Sequence, residues 1–177
     1  MTVKTILTEP NKILRQISQP VEHVGENEQR LMDDMLETMY AAKGIGLAAI
    51  QIGFPKRIIV MDLAKDQTEK NPMYFINPII HNKDKEQTTY EEGCLSVPGQ
   101  FAEIARPKKI EIEYLDYHGE KKILKAEGLL ATCIQHEMDH LEGILFIDYL
   151  SKLKKSMIIK KLSKQQFYLF FFVWIIF

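Results

Sequence analysis

Gln135-His136-Glu137-Met138-Asp139-His140 is the stretch on which the reading of this chain turns. Residues four apart stand about one turn apart on one face of an α-helix, so His136 and His140 can both reach a single metal ion. Glu137, beside the first histidine, is placed to take a proton from a water on that ion. The pattern His-Glu-x-x-His is that of metal-assisted hydrolysis of an amide-like bond. It also arises by chance, and a solvated helix rich in His and Glu needs no metal. The neighbours favour the metal. Leu130, Cys133, Ile134, Met138 and Leu141 recur at helical spacing over 129–141, and Gly143 supplies a stop signal. The histidines flank that apolar stripe, where polar groups need partners.

Three protein ligands and one open position make a catalytic site. The third ligand does not lie downstream. Six residues after His140 stands Phe146, the only acid after Glu142 is Asp148, and 149–177 contain no Asp, Glu, His or Cys. Upstream there are two cysteines. Cys133 would lie ~10 Å along the helix axis from His140, against a metal–sulfur bond of ~2.3 Å. It reads as a small buried wall residue. Cys94 sits in Glu91-Glu92-Gly93-Cys94-Leu95-Ser96-Val97-Pro98-Gly99, where glycines and proline allow an irregular backbone to approach another element. It is either a ligand or an ordinary buried loop cysteine.

A third segment, Gly44-Ile45-Gly46-Leu47-Ala48-Ala49-Ile50-Gln51, is rich in small residues and ends in an amide. It formally matches a dinucleotide loop. Such a loop needs a strand before it and a helix after it, and the order here is reversed.

Gly44–Gln51, Glu92–Ser96 and Gln135–His140, in this order, resemble the three motifs of peptide deformylases. The resemblance covers the chain from about Thr5 to Leu153. It implies an α+β fold and removal of the formyl group from the formyl-methionine of new bacterial polypeptides. Carried over by residue, it implies Cys94, His136 and His140 as metal ligands and Glu137 as general acid/base. It implies that Gln51 and the backbone N–H of Leu95 stabilise the oxyanion after attack by metal-bound hydroxide. Ile45, Gly46, Glu92, Gly93, Leu129 and Cys133 are then the substrate-binding positions. It points to one divalent ion, Fe2+ in the cell, with Zn2+ or Ni2+ in purified protein. One departure is visible: many bacterial members carry arginine where this chain has Phe101. The rival readings are a zinc metalloprotease cutting internal bonds and a non-catalytic metal-binding domain.

The bulk properties agree. With 177 residues, 46% hydrophobic and 27% charged, the chain suits one cored domain. The first ten residues carry no signal-peptide core, so a cytoplasmic protein is expected, with its two cysteines unpaired. The pattern predicts a helix over 27–43. Strands are expected at 57–62, 73–76, 88–91, 101–105 and 110–115, the last turning at His118-Gly119 into 122–125. The expected fold is α+β, with mixed or antiparallel sheets around a central metal-binding helix in a single compact domain. Residues 65–71 read as a solvated loop. A catalytic domain over 1–153 is followed by a basic segment and apolar tail over 154–177. Leu150–Phe177 holds six lysines and no acid, which leaves −7 on the remainder of a chain whose total is −1. Lys152–Lys164 reads equally as a ribosome contact and as solvated helix surface. The eleven residues Phe167–Phe177 would reach only ~16 Å as a helix, too short to span a bilayer of ~30 Å. No DNA-binding motif is present.

Overall fold

In the computed structural model of the chain, residues 2–64 and 69–175 are described, the last eleven of these as backbone only. The helices are α1 (Glu26–Ala41), α2 (Gly128–Leu141) and α3 (Lys152–Ile175). The strands are β1 (Gly46–Ala48), β2 (Ile58–Met61), β3 (Met73–Lys83), β4 (Gln87–Cys94), β5 (Val97–Pro107), β6 (Lys109–Leu115) and β7 (Lys121–Glu127). Five strands form one antiparallel sheet in the order β1-β2-β3-β6-β7, and β4 and β5 form a separate hairpin. The α+β expectation holds, with antiparallel ladders throughout both sheets.

The run Ile58-Ile59-Val60-Met61 explains the layering. All four residues are buried, as in a strand covered on both faces. Side chains alternate across a strand, so Ile58 and Val60 meet Met32, Met35 and Met39 of α1. Ile59 and Met61 face the other way, into a cluster with Ile134 and Leu141 of α2. Each such side chain contributes ~1.5–3 kcal/mol on burial. The helix bearing the histidines is therefore clamped to one face of the sheet by its own apolar stripe. It also touches β4 and β5, and so joins the sheet to the hairpin.

β3 runs further than expected, past Pro78. A register shift between Ile76 and Ile79 takes up Asn77, whose φ is 50°. A proline inside a sheet is accommodated at such a bulge. The Asn77 amide accepts from the Val21 N–H at 2.9 Å and donates to the Val21 carbonyl at 2.8 Å. The other difference is β1, where no strand was expected. Gly46, Leu47 and Ala48 instead pair with Met61, Val60 and Ile59. α3 docks through Ile158, Ile159 and Leu162 onto a third cluster with Val97, Ile104 and Phe146. Of the expected loop over 65–71, positions 65–68 lie outside the described residues, as do the side chains of the apolar tail.

Candidate metal centre

α2 opens at Gly128, whose φ of +60° suits glycine, and closes before Gly143 at φ +70°. A Cβ on Gly143 would meet the Arg15 carbonyl oxygen at 2.6 Å, so the chain turns there against backbone. Between these ends, Gln135, His136, Glu137 and His140 are all buried. The opposite wall comes from the hairpin. Residues two apart share a strand face, which puts Tyr90, Glu92 and Cys94 inward on β4. Cys94 pairs with Val97, leaving Leu95-Ser96 as the turn.

Cys94, His136 and His140 each offer a ligand atom, and these lie within 4.8 Å of one another. Cys94 Sγ stands 3.2 Å from His140 Nε2. His136 gives its Nδ1 to Glu92 Oε2 at 2.8 Å, which leaves Nε2 for a metal. Glu92 is in turn held by a fork from Arg106. Among the described residues the cluster has three members, the number for a centre with an open position. The donor set of one thiol and two imidazoles suits a divalent first-row ion. Two buried polar atoms beside it, Glu137 Oε2 and His140 Nδ1, make no hydrogen bond among the described residues.

Burial holds His140 neutral, far below its ordinary pKa. Burial also opposes charge on His136, but hydrogen bonds to Cys94 and Glu92 outweigh it and raise its pKa. For Glu137, burial pushes the carboxyl up to about 7. A general acid/base works best near the operating pH. The Cys133 thiol is pushed up to about 12, chiefly by burial, which fits a neutral wall residue.

Gln51 lies in the 3-10 turn after β1. Its Oε1 accepts from the Ala48 N–H at 2.8 Å, which fixes the amide. Its Nε2 then points at Ser96 Oγ, 3.1 Å away, and lies 3.6 Å from Cys94 Sγ. The N-terminal segment ties both walls: Leu7 N–H donates to the Gln51 carbonyl at 2.7 Å and Glu9 N–H to the Ser96 carbonyl at 2.9 Å.

Ile45, Gly46, Gln51, Glu92, Gly93, Cys94, Leu95, Leu129, Cys133, His136 and Glu137 line one cavity of about 460 Å³. His140, the third member of the ligand cluster, does not line the cavity and is 1% exposed. Phe101 lines the same cavity and is exposed at its rim. Its ring covers Gly93, where a Cβ would come within 2.5 Å of Cε1. Sequence reasoning passed over Arg106, Ser96, Asp139, Phe146 and Tyr149. Arg106 had one legible signal: it lies in phase with inward Ile104 on β5.

A buried helix carrying two histidines and a carboxylate, joined by a cysteine from a hairpin turn, defines a mononuclear metallohydrolase. The family model for polypeptide deformylase matches residues 3–156. A peptide deformylase of Pelagibacter ubique is 76% identical over 164 residues, covering 93% of this chain and 95% of that one. One of Rhizobium meliloti is 55% identical over 164 residues, covering 93% and 94%. The crystal structure of peptide deformylase from Ehrlichia chaffeensis in complex with actinonin superposes with a TM-score of 0.88. It is 46% identical and the match covers 93% of this chain and 98% of that one. The chain belongs to the polypeptide deformylase family.

Proposed function

We propose that this protein removes the formyl group from the N-terminal formyl-methionine of new polypeptides, releasing formate, with Cys94, His136 and His140 as metal ligands. The observation that carries the reading is the approach of Cys94 Sγ to His140 Nε2, 3.2 Å, beside the buried Glu137 and Gln51. When bound, a divalent ion supplies Lewis acidity, lowering the pKa of water and polarising the formyl oxygen. Glu137 receives the water's proton and returns it to the departing amine. Gln51 Nε2, with the Leu95 backbone N–H, donates to the oxygen as it gains charge. Ile45, Gly46 and Gly93 bind the peptide backbone, and Leu129, Cys133 and Glu92 bound the methionine side chain. Glu92 fixes the His136 tautomer as well. Burial of Gln51, Glu92, His136, Glu137 and His140 keeps bulk water from these groups and strengthens their interactions.

The ion in the cell is Fe2+ on this reading, and Zn2+ or Ni2+ also fit the donors. The catalytic unit is 1–153, followed by 154–177, a basic segment and apolar tail, and the exposed lysines of that segment contact the ribosome. No described helix is long and apolar enough to cross a membrane, and a cytoplasmic site of action follows from the substrate. The test is anaerobic formate release from formyl-Met and acetyl-Met peptides by iron-, nickel- and zinc-loaded protein. Fast, chelator-sensitive cleavage of the formyl peptide alone is expected. Equal rates on both acyl groups would sink the deformylase reading, and a zinc form faster than the iron form would sink the iron assignment.

A further inference from the structure

Behind His136 the polar contacts do not stop at Glu92. Glu92, only 6% exposed, takes two hydrogen bonds from Arg106, itself 4% exposed. A bidentate fork of this kind fixes both partners in one plane. The third guanidinium nitrogen, Nη1, donates to Asp139 Oδ2 at 2.8 Å. That oxygen also accepts from the Tyr149 hydroxyl at 2.9 Å. The Tyr149 ring lies over the same guanidinium, 5.1 Å from Cζ to centroid. Every nitrogen of Arg106 is thereby engaged, and two carboxylates share one cation. The cluster keeps a net negative charge on the side of His136 away from Cys94.

Tyr149 ends the 3-10 turn Phe146–Tyr149. The first residue of that turn touches His136 directly: the Phe146 ring stacks on the imidazole, 6.3 Å between centroids and 24° between planes. The turn is itself pinned, because Asp148 accepts from Arg15, Lys155 and the Leu145 N–H. One short segment thus supports the same imidazole by two independent routes.

We infer that Tyr149 and Asp139 are positioning residues of the metal centre, acting on His136 through Arg106 and Glu92. This rests on the assignment of His136 as a ligand. Asp139 holds the outer nitrogen of Arg106, and Tyr149 holds Asp139. Arg106 then presents Glu92 at one fixed place, and Glu92 sets which imidazole nitrogen carries the proton and where Nε2 points. Losing the outer members leaves the ligands present but loosely aimed. Partners behind a ligating histidine typically change metal affinity or activity by ~10–100-fold when removed.

The test uses full-length Tyr149→Phe and Asp139→Asn, with four readouts. These are melting of the metal-free protein, transfer of zinc to a chromogenic chelator, the visible bands of the cobalt-loaded protein, and kcat with KM. Melting close to the parent's is expected, with zinc transfer faster by ~10-fold in Asp139→Asn and by less in Tyr149→Phe. Cobalt bands should shift, and kcat should fall with KM unchanged. If Asp139→Asn does not fold, Tyr149→Phe decides, since it removes one hydroxyl and keeps the ring. Parental zinc transfer and parental cobalt bands would overturn the inference. The metal readouts need no substrate, so they stand whether or not formate release is found. A parent protein that takes up neither zinc nor cobalt would overturn the ligand assignment and this inference with it.

Discussion

A Cβ placed on Gly46 would stand 2.5 Å from Oε1 of Glu137, nearer than a Cβ comes to a non-bonded atom. The absence of a side chain at Gly46 is what lets the carboxylate occupy its place. Gly46→Ala should therefore displace Glu137 while leaving the metal ligands bound. Turnover should fall by on the order of 10²-fold, the lower end for loss of a general acid/base. Steady-state kinetics beside metal content would check it, and unchanged kcat would show that the carboxylate can move without harm.

Glu137→Gln tests the proton transfer itself. An amide cannot take up the proton, so kcat should drop by ~10²–10⁴-fold. Metal content and melting should stay near the parent's. A variant with near-normal turnover would remove Glu137 from the mechanism.

The two cysteines should part company. Cys94→Ala is expected to lose bound metal, while Cys133→Ala keeps it and only widens the cavity wall. Metal analysis after dialysis distinguishes them, and the reverse result would refute the ligand assignment.

Acid should weaken the turn beside the metal centre. Burial opposes charge on Asp148, but the Leu145 N–H, Lys155 and Arg15 outweigh it, so its folded pKa lies below the ordinary aspartate value. A depressed carboxylate contributes stability that is fully present above the unfolded pKa of ~3.9. That contribution is lost as pH falls through the folded value. Asp148→Asn should be less stable than the parent in urea melts at neutral pH, and the gap should close at pH values below the folded pKa. A gap that stays constant across the acid range would count against this role.

The three motifs were readable because each carries chemistry at fixed spacing, and the cavity gathers residues from all of them. Strand and helix positions followed from apolar period, most clearly for Ile58–Met61. β1 escaped because Gly46, Leu47 and Ala48 have neither β-branched side chains nor alternation. β3 was cut short at Pro78, since a proline normally argues against an interior strand and the bulge at Asn77 cannot be seen in composition. The support behind His136 escaped for a different reason. Arg106 and Asp139 are 33 residues apart, and no local pattern announces that they meet. A lone charge in a strand reads as surface unless its phase is compared with its neighbours.

Leu7 and Glu9 tie together, through backbone, two parts of the site that the Gln51 side chain also links at Ser96. One holds the carbonyl of Gln51, the other that of Ser96, and so the amide and the cysteine turn are spaced by a single stretch of backbone. That stretch serves as a ruler. Trimming the chain past Glu9 would change the gauge between the donor and the sulfur, and the damage would be felt as poor chemistry well before it was felt as lost fold.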